Sequence, residues 1–119
     1  MSKEISTLHN LVDYYLHSPQ FLALRGRTQK DYEYSLGRAM QTQITPTKTL
    51  GDIKLNNLGV SECKMAYQQW VTKGVRMANI MAMVTSLVLN IGEELELIVR
   101  NPMRSVKKMV EGQRKVMWS

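Results

Sequence analysis

A chain of 119 residues, 44% apolar and 22% charged, can bury one sizeable core; it is too short for two comfortable domains and too apolar to be disordered. Its net charge of +6 and pI of 9.6 favour a polyanionic partner without naming one. The single cysteine, Cys63, excludes an internal disulfide and fits a reducing interior compartment better than secretion.

Charge is spread unevenly: residues 1–24 sum to −1, residues 25–99 to +2 and residues 100–119 to +5. The start, Met1-Ser2-Lys3-Glu4-Ile5, lacks the apolar run of a signal peptide. The most apolar run, Ile80 to Leu89, is about half the length a bilayer crossing needs and contains Thr85 and Ser86, so it is expected in a protein core.

Leu8, Leu11, Val12, Tyr15 and Leu16 recur at helical spacing and predict a first helix over 7–17, capped by Ser6 or Thr7 and ended by Ser18-Pro19. Thr28 is the expected N-cap of a second helix over 29–42, with Tyr32, Leu36, Ala39 and Met40 inward. Its opposite face carries Lys30, Tyr34 and Arg38 at successive i+4 steps, just after Arg25 and Arg27.

Residues 44–58 have the composition of a connector, rich in threonine with Pro46, Gly51-Asp52 and Asn56-Asn57; Leu50, Ile53, Leu55 and Leu58 are expected to pin it down. A third helix is predicted over 60–73, with Val60, Cys63, Ala66, Tyr67, Trp70 and Val71 inward. Lys73-Gly74 breaks it. A fourth helix over 76–92 is apolar nearly all round, the signature of a central helix covered on several sides, and its polar residues gather at the entry in Arg76 and Asn79. Pro102 stops the domain, and a basic segment follows with Arg104, Lys107, Lys108, Arg114 and Lys115. No strand pattern or internal repeat is evident, so the expected fold is an all-α bundle of four main helices.

No chemistry-bearing constellation stands out. His9 and His17 lack clustered cysteines or carboxylates at metal-ligand spacing, so no metal is expected. Cys63 lies on a core stripe and reads as a small buried residue. Glu93, Glu94 and Glu96 read as a solvated acidic patch, and Met77, Met81 and Met83 as a soft core patch before a docking groove. No glycine-rich phosphate loop occurs. No catalytic residue and no cofactor are assigned, and the chain by itself does not read as an enzyme.

The order of these features resembles the core-binding, or SAM-like, domain of tyrosine recombinases of the phage integrase family. The resemblance rests on the Leu8–Leu16 helix with Phe21 after it, on Thr28 and Tyr32 at T-x-x-x-Y spacing with Leu36 one turn on, and on Gly51-Asp52-Ile53-Lys54-Leu55-Asn56-Asn57-Leu58 leading into the third helix. The close, Ile98-Val99-Arg100-Asn101-Pro102, is similar to the family's I-x-x-N-P ending, so the likeness spans about residues 7–103. The chain departs from the family near the end of the fourth helix, where Gly92 is followed by Glu93-Glu94-Leu95-Glu96.

The resemblance implies a four-helix SAM-like bundle over 1–103 with a central apolar fourth helix, and a basic interdomain linker over 104–119 toward an absent catalytic domain. It implies docking on one side of double-stranded DNA, through Arg25, Arg27, Thr28 and Lys30 at the second helix and Lys73, Arg76 and Asn79 at the fourth. Other integrase protomers on DNA are implied partners, a cytoplasmic setting is implied, and a membrane is not; the isolated domain is expected to be monomeric. The competing expectation is a helical protein-interaction or oligomerisation module using the Met-rich fourth helix. A stand-alone helix-turn-helix repressor fits less well, because the connector between the second and third helices far exceeds that motif's turn.

Overall fold

The computed structural model describes residues 5–107, and the expected basic tail from Lys108 onward lies outside them. The protein is mainly helical: α1 (Leu8–Leu16), α2 (Pro19–Leu22), α3 (Gly26–Met40), a hairpin of β1 (Gln43–Thr45) and β2 (Lys48–Thr49), then α4 (Val60–Val71) and α5 (Val75–Glu94). Short 3-10 turns cover Leu50–Asp52, Leu55–Asn57 and Pro102–Ser105.

The first helix starts where its cap dictates. Asn10 N–H donates to Thr7 Oγ1, and Thr7 N–H donates back to Asn10 Oδ1, each at 3.2 Å, satisfying two otherwise unpaired donors. Pro19 ends α1 and at once begins a new turn: Ser18 caps α2, Pro19 occupies its first position, and Phe21 meets Tyr15 edge-on with ring centroids 5.3 Å apart. From sequence alone this proline reads only as a stop.

The second long helix, α3, begins at Gly26 rather than at the expected Gln29. Arg25 is its N-cap residue, and Thr28, expected as the cap, sits half-buried inside the first turn. The cause is Gln29, whose Nε2 donates to the carbonyls of Leu22 and Leu24 and so ties α3 to the end of α2. No side chain caps the α3 entrance.

The connector holds a small hairpin that the sequence pattern does not announce. Its strands, three and two residues long, are too short for an alternation to register, and their pairing slips between Gln43 and Thr45. Thr45 Oγ1 shapes the turn by accepting from Lys48 N–H at 2.9 Å. Beyond it, Leu50, Ile53, Leu55 and Leu58 are all buried as expected. Leu55 N–H donates to the Ser6 carbonyl at 2.7 Å and Leu8 N–H to the Ile53 carbonyl at 3.1 Å, which fastens the connector to the start of α1.

The core is a single cluster, and α5 touches α1, α3 and α4. By length and composition α5 could cross a membrane, yet half of its apolar window is buried against the rest of the protein. It is not covered all round: Ile80, Met83 and Leu87 are 38%, 43% and 38% exposed. Val60, expected inward, is also exposed, because it occupies the first position of α4 at the rim of the core.

Gly92 has a packing role near the end of α5. The helix runs through that glycine, where an added Cβ would come within 2.9 Å of the Leu11 side chain, so the missing side chain lets α1 approach. Just past the helix end at Glu94, Glu96 takes a positive φ of 63°. Leu97 N–H then donates to the Gly92 carbonyl at 2.8 Å and Glu96 N–H to the Glu93 carbonyl at 3.0 Å, closing the helix in a Schellman motif.

Val106, beyond the last 3-10 turn, is buried as well. Asn101, wholly buried, anchors this exit: its Nδ2 donates to Ser86 and to Asn90 Oδ1, and its Oδ1 accepts from Met103 N–H. Arg104 pairs with Glu93 at 2.8 Å, so part of the acidic patch is neutralised.

A left-handed conformation at a side-chain-bearing residue carries a strain that glycine relieves. Glu96→Gly should therefore raise stability by about 1 kcal/mol in urea denaturation; an unchanged or lower midpoint would contradict the αL cap.

Candidate nucleic-acid interface

The outward stripe of α3 follows from its period. Leu36, Ala39 and Met40 point into the core, which turns Arg27, Lys30, Tyr34, Arg38 and Gln41 to solvent. Over Arg27 to Arg38 the stripe runs about 16 Å at about 1.5 Å per residue, comparable with the ~12 Å width of a DNA major groove. Asp31 and Glu33 are also exposed and dilute the charge.

Arg38 is held rather than loose. Its Nη1 donates to the Tyr34 hydroxyl at 2.9 Å, and its guanidinium carbon lies 5.5 Å from the centre of the Tyr34 ring. Among the described residues, no carboxylate lies within ion-pairing distance of Arg25, Arg27, Lys30, Arg38, Lys73 or Arg76. These cations keep their charge available to an outside anion.

The far end of α3 is fixed to the far end of α4. Trp70 Nε1–H donates to Thr42 Oγ1 at 2.7 Å in a buried contact, and Gln69 Nε2 donates to the Gln43 carbonyl at 2.7 Å. The chain then turns through Thr72, Lys73 and Gly74 into α5. Gly74 has a φ of +153°, a conformation that side-chain-bearing residues rarely adopt. The turn has helix-turn-helix length, but the exposed face of α5 carries Ile80, Met83 and Leu87, which offer phosphates and base edges no hydrogen-bond donor.

The seven residues expected to meet DNA fall into three places. Arg25, Arg27 and Lys30 are exposed at the α3 entrance, with Thr28 half-buried among them. Lys73 and Arg76 are exposed at the α4–α5 corner. Asn79 is half-buried and turned toward α4, where its Oδ1 accepts from the Tyr67 hydroxyl at 2.6 Å. The α3 stripe leads from Arg27 to Arg38, and Arg38 and Lys73 line one surface groove.

Sequence reasoning missed Gln41, Gln43 and Gln69 in that groove. No local signal could have found them, because they converge only through the Trp70–Thr42 and Gln69–Gln43 contacts. No protein-family model matches this chain, and no curated protein or solved structure matches it.

Among the described residues, no three His, Cys, Asp or Glu side chains are grouped to hold a metal. Cys63 is fully buried, and burial first, then the neighbouring Glu62 carboxylate, pushes its thiol up to about 12 from the ordinary 9.0. It stays protonated and unreactive at neutral pH.

Because the folded thiol titrates above the unfolded one, its contribution to stability is complete below pH 9 and is lost as pH rises toward 12. Urea denaturation of the wild type and Cys63→Ala should give a stability difference that shrinks above pH 9. A difference independent of pH would contradict the buried, protonated thiol.

Proposed function

We propose that the chain is a DNA-binding domain of the phage-integrase type, a SAM-like bundle that docks on one side of duplex DNA so that a separate catalytic domain can cut and rejoin strands. The observation that carries this reading is the outer stripe of α3. Arg25, Arg27, Lys30 and Arg38 stand exposed without carboxylate partners among the described residues, and the stripe leads to Lys73 at the α4–α5 corner.

Arginine suits this task because its planar guanidinium contacts phosphate or guanine through two parallel hydrogen bonds. The uncapped start of α3 adds N–H groups beside Arg25 and Arg27. Most such contacts go to phosphates and position the domain rather than read bases. Asn79, accepting from the Tyr67 hydroxyl, braces α4 on α5 in this reading. The domain carries no catalysis of its own in this reading, needs no metal or cofactor, works in the cytoplasm, and is monomeric until DNA gathers further protomers.

A second reading is a helical interaction module, favoured by the exposed stripe of Ile80, Met83 and Leu87 on α5. It predicts a concentration-dependent dimer in sedimentation without DNA, insensitive to salt.

Duplex binding followed by fluorescence anisotropy should weaken with salt along a log–log slope of roughly −0.9 per phosphate contact. Replacing Arg27, Lys30 and Arg76 together with alanine should flatten that slope by about 2 to 3 while circular dichroism stays unchanged. An unaltered slope would place any DNA-binding face elsewhere.

A further inference from the structure

The groove at the far end of α3 has a composition that neither stripe alone explains. It measures about 350 Å³ and lies between the last turn of α3, the first residue of the hairpin and the α4–α5 corner. Arg38 and Lys73 bring two positive charges, Gln41, Gln43 and Gln69 bring amides, and no acidic side chain lines it. The indole of Trp70 and the side chains of Met77 and Met81 complete the lining and present apolar surface rather than competing charge.

Its polar parts are already organised. Tyr34 orients the Arg38 guanidinium through one N–H, which leaves the other N–H donors of that group for a ligand. Gln69 Nε2 is committed to the Gln43 carbonyl, and Gln43 Nε2 donates to the Thr45 carbonyl at 2.7 Å, so these amides brace the wall. The carbonyls of Arg38 and Ala39, which would repel an anion at the end of α3, accept hydrogen bonds from Gln41 N–H, Thr42 N–H and Thr42 Oγ1. The start of α5, without a side-chain cap, turns its positive end toward the same corner.

We infer that this groove seats one phosphodiester of a nucleic-acid strand, held between the Arg38 guanidinium and the Lys73 ammonium with the Gln41 amide as a third donor. Tetrahedral oxyanions are the ligands that two converging cations and a neutral amide satisfy, and a guanidinium contacts two of their oxygens at once. The site would make Arg38 and Lys73 one contact rather than two, joining α3 to the α4–α5 corner over the same strand. This inference rests on the DNA-binding reading for the identity of its ligand.

The test uses Arg38→Gln, Lys73→Gln and the pair, with Arg27→Ala/Lys30→Ala as a comparison. Both groove residues are exposed, so the fold should survive, with circular dichroism as the check. Each single variant should weaken duplex binding about five- to tenfold. The double variant should weaken it little further and lower the salt slope by about 0.9, the value for one shared phosphate. A slope change near ~1.8 with additive losses would mean two separate contacts and would overturn the shared seat.

If Arg27→Ala/Lys30→Ala weakens binding and the groove variants do not, the DNA reading stands and the groove inference falls. If no variant affects binding, or the chain does not bind duplex, both fall. Inorganic phosphate titrated against the 15N-labelled protein separates the remaining source. Shifts of the Gln41 and Gln69 side-chain amides with phosphate, but none with duplex, would mark a site for free phosphate and overturn the strand assignment.

Discussion

The buried hydrogen bond from Trp70 Nε1–H to Thr42 Oγ1, 2.7 Å long, is the constraint on which the cationic surface depends. An indole N–H removed from water costs about 1–3 kcal/mol if left unpaired, so the end of α3 is held against the end of α4 at one register. The Gln69–Gln43 bond repeats the tie at the neighbouring residue on each side. With those ends joined, the short turn into α5 carries Lys73 to the groove that Arg38 lines. Charge on the surface is placed by a contact in the core.

Two other devices give the same frame its rigidity. Gly92 allows α1 to lie close on α5, and Asn101 commits its amide to Ser86, Asn90 and Met103 as the chain leaves the bundle. A buried amide whose donors and acceptor are engaged fixes a single geometry more strictly than an apolar contact does. The exit of the chain is therefore as well defined as the helices before it. The Asn-Pro pair makes physical sense at this spot: the asparagine oxygen caps the 3-10 turn, and the proline fills the turn's first position, where no N–H is needed.

Much of the architecture was legible in the sequence where periodicity and burial coincide. The helical stripes of α1, α3 and α4, the apolar pins Leu50, Ile53, Leu55 and Leu58, and the Thr7 cap all follow from local rules. The hairpin was illegible because strands of three and two residues carry no pattern. The start of α3 differs from the expected one because the side chain of Gln29 bonds backward to another element, which outweighs the preference of threonine for the cap. The exposed stripe of α5 was illegible for a different reason: composition reports how apolar a helix is, not how many neighbours cover it. The individual cations at the helix entrances could be picked out along the chain. That Arg38 and Lys73 line one groove could not, since residues far apart in sequence come together only through tertiary contacts.

In the proposed function, the outer stripe of α3 and the α4–α5 corner form one continuous surface for a single duplex. Backbone amide shifts of the 15N-labelled protein on adding a short DNA duplex test it most directly. Shifts are expected to run through 26–38 and 72–77 together, with 80–87 on the exposed side of α5 little changed. Shifts centred on Ile80, Met83 and Leu87, or confined to one of the two cationic segments, would contradict it.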